Sequence, residues 1–258
     1  MIDLHCHILP GVDDGPTTPE EALAMARVAI QDGLHTIVAT PHGAEGVYSG
    51  RLDDTVKRLD AFGSFLSSHG VQLKLLPGLE VYLTPKTPSL CREGAVYPLN
   101  SSRYLLVEFS VDMVPPYVEQ ALFELQLQGL VPIIAHPERN MEIAAAPEKL
   151  ERMVRKGMLA QVTAGSITGE FGGQARAAAE AMLSRGLVQI IASDAHAATR
   201  RPPRMSGAVR RAAQLVGEEA AESMVEAVPA AILANEDVEP PEPRPTHKGS
   251  WFAFGRRR

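Results

Sequence analysis

The strongest constraint on this chain is a repeated unit: an amphipathic stretch, a glycine, then a short apolar run. Gly129, Gly157 and Gly186 each close a helical stretch just ahead of such a run. The predicted strands are residues 2–5, 36–39, 73–76, 104–108, 131–135, 159–163 and 189–192. LLVEF, VPIIAH and VQIIAS are nearly continuous in apolar character, as strands buried on both faces of a parallel sheet are. Helices are expected near 19–32, 51–68, 116–128, 147–156, 174–185, 206–215 and 218–233. The first has Thr18 as N-cap, Pro19 at the first helical position and Gly33 after its end. About seven βα units suggest an α/β barrel rather than an open sheet. Strand order cannot be read from sequence, so a doubly wound sheet stays open.

A folded domain is expected over residues 1–234 and an extended Pro-rich segment over 235–258. The latter begins with EDVEPPEPRPTHKGS and ends in WFAFGRRR, with three aromatics, three arginines and the only tryptophan, Trp251. Residues 247–258 read either as a frayed end or as a docking segment for a partner or an anionic membrane surface. The net charge of −6 argues against a nucleic-acid binder held by bulk charge. The two cysteines exclude a disulfide scaffold and fit a reducing, cytoplasmic setting. The N-terminus lacks the pattern of a secretory signal, and no apolar run is long enough to span a membrane.

Five of the eight histidines, His5, His7, His42, His136 and His196, fall at predicted strand ends. So do the carboxylates Asp14, Glu80, Glu108 and Asp194. In a parallel barrel the C-terminal strand ends share one mouth, so nine ligand-type groups would meet there. Imidazole with carboxylate is a donor set for zinc, manganese or iron. In a strand, residues two apart point the same way, so His5 and His7 face one ion while Cys6 faces elsewhere. Asp13 and Asp14 also read as turn formers beside Gly15 and Pro16. Glu108, inside LLVEF, needs a partner or a metal. Arg139 and the pair Arg200 and Arg201 follow His136 and His196 closely, and guanidinium forks suit phosphate. The loop 164–169 reads either as a backbone cradle for phosphate or as an ordinary flexible connection. No Cys-x5-Arg loop, GxxxxGK[ST] loop, GxSxG elbow or CxxC pair is present. His35, His69 and His247 read as surface or structural residues.

Taken in order, DLHCHILPGVDDGP, TPH, GLEVY, LLVEF, AHPERN, QVTAGSITGEFG and SDAH followed by RRPP resemble the PHP (polymerase and histidinol phosphatase) superfamily. Within it the chain is similar to bacterial tyrosine-protein phosphatases of the CpsB/YwqE type, over about residues 1–205. The resemblance implies a distorted (β/α)7 TIM-like barrel with three divalent ions, manganese favoured and iron or zinc as alternatives. It also implies hydrolysis of phosphotyrosine on the C-terminal tail of a partner bacterial tyrosine kinase that regulates capsule or exopolysaccharide export. By the same resemblance His5, His7, Glu80 and Asp194 hold the first ion. Glu80 bridges to a second, completed by Glu108 and His136. Asp14, His42 and His196 hold the third. Arg139 and Arg201 contact phosphate, with Arg200 an alternative to the latter, and Asp194 or His196 is the candidate proton donor. Gly43 and Ala197 depart from the family pattern beside the metal-site histidines. Another phosphoesterase of the superfamily, acting on histidinol phosphate or nucleic acid, and a non-catalytic envelope scaffold are the competing readings.

Overall fold

The computed structural model describes residues 1–43 and 52–243; the expected tail segment 247–258 lies outside them. The chain begins β1 (Ile2–Cys6), α1 (Pro19–Gln31), β2 (Thr36–Ala39), β3 (His42–Gly43), α2 (Leu52–Ser68), β4 (Lys74–Pro77) and β5 (Glu80–Tyr82). It continues with α3 (Thr87–Arg92), β6 (Tyr104–Glu108), α4 (Val118–Leu127), β7 (Val131–Ala135), α5 (Met141–Ala145), α6 (Glu148–Arg155) and β8 (Leu159–Thr163). The rest is α7 (Ala164–Thr168), α8 (Gly173–Ser184), β9 (Ile190–Ala192), α9 (Ser206–Val216), α10 (Glu218–Ser223) and α11 (Ala227–Leu233). The first helix starts as its sequence predicts. The Thr18 hydroxyl accepts from the Glu21 N–H, and the Glu21 carboxylate accepts from the N–H and hydroxyl of Thr17.

Among the described residues all strand pairs are parallel, in two sheets ordered β1-β2-β4 and β3-β5-β6-β7-β8-β9. Two of the seven predicted strands are followed by short further strands, β3 and β5, that were not expected. The run 36–39 stops before Pro41 and resumes as β3, and the run 73–76 stops at Pro77-Gly78 and resumes as β5. Proline lacks the N–H a ladder needs. At Gly78 a Cβ would lie 2.7 Å from Leu99 and 2.8 Å from Val38, so only glycine allows this close approach. β1 and the segment after β9 meet through a parallel bridge between Cys6 and Ala195. The Asp194 N–H donates to His5 (2.8 Å) and the His7 N–H to Ala195 (2.9 Å). The result is an α/β fold of two parallel sheets, joined at β1 and β9 by this bridge.

β1, β2, β8 and β9 are buried throughout and β6 and β7 nearly so, as their apolar runs require, while β4 is partly exposed. Leu4, Val38, Tyr104, Leu106, Ile133, Leu159 and Ile190 form an inner cluster. Ile37, Leu105, Val107, Ile134, Ala160 and Ile191 join the helices in an outer one. Along the inner face polarity rises toward the strand ends: Tyr104, Leu106 and Glu108 on β6, and Leu159, Gln161 and Thr163 on β8. That gradient puts the chemistry at one mouth. Residues 235–243 form neither helix nor strand. Their first part is tied back to the start of β6. Asn235 accepts from the Arg103 N–H (2.9 Å), and the Tyr104 hydroxyl donates to Glu236 (2.6 Å) and accepts from Val238 (3.1 Å).

Candidate metal centre

The register between β1 and β2 shifts between Asp3 and Cys6, a bulge that re-aims the residues after it. His5 and His7 end with their Nε2 atoms 3.3 Å apart, while the Cys6 sulfur faces the Ala195 carbonyl. Each ring is fixed from behind. Nδ1 of His5 donates to Gln161 Oε1 at 2.9 Å, and Nδ1 of His7 donates to Asp13 Oδ2 at 2.7 Å. These partners select the tautomer that leaves Nε2 free as a donor atom for a cation. Asp13 also accepts from the N–H groups of Gly15 and His42.

Glu80 is buried at the centre. Oε1 lies 2.8 Å from His136 and 3.2 Å from His5, and Oε2 lies 3.1 Å from His42 and 3.2 Å from His7. Glu108 lies 3.2 Å from His42 and 3.7 Å from His136. Asp194 Oδ1 lies 3.4 Å from His5, 3.6 Å from His7 and 3.7 Å from His196. Asp14, largely exposed, reaches in to 3.2 Å from His196 and 3.5 Å from His42. The structure thus brings all nine predicted donors together. Three sets have donor atoms mutually within 4.8 Å: His7, Asp14, His42 and His196; His5, His7 and Glu80; His42, Glu80 and Glu108. His7, His42 and Glu80 each belong to two of these sets, so the cluster is more shared than three separate ligand groups. His136 and Asp194 hold left-handed backbone conformations, with φ of 33° and 51°, a strain typical of functional positions.

The electrostatics match a cation site. Burial works against a charged His5, but Glu80 and Asp194 beside it raise its pKa to about 9. Burial likewise opposes charge on His42, which Glu108 and Glu80 lift to about 11. Burial would raise Glu80 and Asp194, yet the surrounding imidazoles hold Glu80 well below the carboxylate range and Asp194 at about 2. His196 is pushed down to about 4 by burial and by His7. Without a cation, protons on imidazoles balance the carboxylates. A divalent ion does the same with the donor atoms already converged.

Arg139 lies in the turn Pro137–Arg139 after β7, and Arg201 in the loop after β9. Each puts a nitrogen 2.6 Å from Asp194 Oδ2. Arg200 instead lines, with Arg201, Asp14, Pro16, Glu21 and His196, a cleft of about 470 Å³ beside the cluster. The segment 164–169 is not a flexible connection. Ala164–Thr168 form the buried helix α7, and Glu138 takes the Thr163 N–H (3.0 Å) and the Ser166 hydroxyl (2.7 Å). Sequence reasoning missed Gln161, Glu138 and Phe171. A glutamine inside an apolar strand was a usable signal for the first. Phe171 gave none.

The sequence pattern of the family described as "Capsular polysaccharide synthesis, CpsB/CapC" matches residues 1–234. The chain is 40% identical over 196 residues to the tyrosine-protein phosphatase YwqE of Bacillus subtilis, covering 76% of this chain and 77% of that one. It is 27% identical over 241 residues to the tyrosine-protein phosphatase CpsB of Streptococcus pneumoniae, covering 92% and 99%. A solved structure from work on YwqE and CpsB as metal-dependent tyrosine phosphatases superposes with a TM-score of 0.91 at 36% identity, covering 95% of this chain and 99% of that one. A histidinol phosphate phosphatase from Lactococcus lactis, at 16% identity and a TM-score of 0.54 over 85% and 94% of the two chains, shares the fold.

Proposed function

The chain belongs to the CpsB/CapC capsular polysaccharide synthesis family, and from that premise we propose that it is a metal-dependent tyrosine-protein phosphatase. The observation that supports this reading is the convergence of five imidazoles and four carboxylates at one mouth, with two arginines beside them. His5, His7, Glu80 and Asp194 would hold one divalent ion. Glu80, Glu108 and His136 would hold a second, and Asp14, His42 and His196 a third, with His7 close enough to share it. Manganese is the favoured ion. Bound ions supply Lewis acidity toward the phosphoryl oxygens and make water near them more acidic.

The protein's own groups do the rest. Arg139 and Arg201, both held on Asp194 beside the cluster, would bind the equatorial phosphoryl oxygens and stabilise their charge. The cleft past His196 and Arg200 admits the tyrosine-bearing segment, which we take to be the C-terminal tail of a partner tyrosine kinase. Neither candidate proton donor is suited to give up a proton, because Asp194 is held as an anion and His196 as a neutral ring. The phenolate, with a pKa of about 10, is a fair leaving group without one. Gln161 and Asp13 keep His5 and His7 in their binding tautomers throughout.

The test measures metal content of the purified protein alongside phosphate release from a phosphotyrosine peptide, histidinol phosphate and single-stranded DNA. The expected result is peptide-selective turnover that a chelator abolishes, that thiol alkylation spares and that His136→Ala lowers by at least about a hundredfold. Activity surviving both chelation and that substitution refutes the assignment.

A further inference from the structure

We infer that Phe171 is the positioning residue that keeps Arg139 and Arg201 together as a phosphate clamp, an inference that rests on the phosphatase reading above. Both guanidinium groups lie over its ring, 4.9 Å from the centroid for Arg139 and 5.5 Å for Arg201. The two arginines come from different strand ends and share one carboxylate oxygen, Asp194 Oδ2. Two cations this close repel, and long side chains have many rotamers to scatter into. Asp194 counters both tendencies while the arginines rest on it. When a phosphate draws them off Asp194, that restraint weakens and the ring remains. An aromatic face attracts cations, and a planar guanidinium stacks on it without using up the N–H donors that phosphate needs. The Arg201 Nε is buried and makes no hydrogen bond among the described residues, so packing fixes that part of the group.

The ring is itself seated by the fold. A Cβ at Gly165 would lie 2.7 Å from Cε2 and 3.1 Å from Cδ2 of Phe171, so the ring occupies the space that glycine leaves. Gly165 sits in α7, which Glu138 anchors, and its carbonyl accepts from the Glu170 N–H at 2.8 Å. The motif TAGSITGEFG thus supports the clamp by seating the Phe171 ring.

The experiment compares wild type, Phe171→Leu, Phe171→Tyr and Gly165→Ala as full-length, metal-loaded protein, with metal content and melting temperature recorded for each. The probe is inorganic phosphate, its Kd read by calorimetry and its Ki against phosphopeptide turnover. Phe171→Leu is expected to weaken phosphate about tenfold at unchanged metal content. Phe171→Tyr restores binding to near wild type, and Gly165→Ala, which pushes the ring away, repeats the loss. Wild-type phosphate affinity in Phe171→Leu overturns the inference, as does a loss that Phe171→Tyr does not rescue. Should Phe171→Leu fail to fold, Gly165→Ala with unaltered phosphate affinity overturns it equally. A wild type that binds phosphate but cleaves no phosphopeptide refutes the phosphatase reading instead, and the phosphate comparison still decides the role of Phe171.

Discussion

Single side chains in the cluster are worth what holds them as much as what they offer. Asp13 is the plainest case. It fixes His7 through a 2.7 Å hydrogen bond and is itself fixed by two backbone N–H groups. Asp13→Asn replaces an anion with an amide and removes the preference for the binding tautomer of His7. Metal affinity should fall about 10–100-fold, as such supporting contacts do elsewhere. Titration of stripped protein with manganese checks this, and an unchanged Kd would show that His7 needs no support. The nine donors were legible in the sequence because a buried strand end rarely carries histidine or carboxylate unless a partner or an ion compensates its lost hydration. The neighbouring aspartates 13 and 14 were not separable there. One orients an imidazole and the other faces the cluster, and only the turn around Gly15, whose N–H binds Asp13, decides which. Phe171 was invisible, since a lone phenylalanine in a loop carries no periodicity.

At the level of elements, the strands do two jobs, packing at their starts and chemistry at their ends. Leu106 is fully buried in the inner cluster, one turn of the pleat below Glu108. Leu106→Ala should cost about 2–5 kcal/mol of stability, measured by denaturant unfolding. A cost below about 1 kcal/mol would mean the inner cluster is loosely packed. Glu138→Ala strips partners from the buried Thr163 N–H and Ser166 hydroxyl. It should destabilise by about 1–3 kcal/mol, with Glu138→Gln milder. Continuous apolar strands made the βα repeat readable along most of the chain. The breaks at Pro41 and at Pro77-Gly78 were not anticipated as interruptions of single strands. Their residues look like ordinary strand exits until the two-residue β3 and three-residue β5 are seen pairing beyond them. The helix at 164–168 was missed because Ala-Gly-Ser-Ile-Thr has a loop's composition, and a buried carboxylate from a distant turn makes it helical.

For the molecule as a whole, the cluster ties stability to pH and to metal. An imidazole with a raised pKa stabilises the fold fully below its unfolded value near 6.5 and loses that contribution as pH climbs, through about 9 for His5. The depressed carboxylates act in the other direction. Their contribution stands above about pH 4 and is lost as pH falls, through about 2 for Asp194. Stripped protein should therefore lose melting temperature from about pH 6.5 upward, through about 9 for His5 and about 11 for His42, while the metal-loaded form, whose ions replace those protons, should lose markedly less. Parallel curves for the two forms would refute the coupling. The bridge between Cys6 and Ala195 has one more consequence. The first strand finds its second neighbour only when residues far along the chain exist. Asp194 and His196 lie at that same junction, where the Asp194 N–H and the Ala195 carbonyl hold the backbone of His5 and His7. A chain cut short before them lacks both those donors and the backbone contacts that fix His5 and His7. Loss of the segment after β9 therefore undoes both ends of the cluster at once.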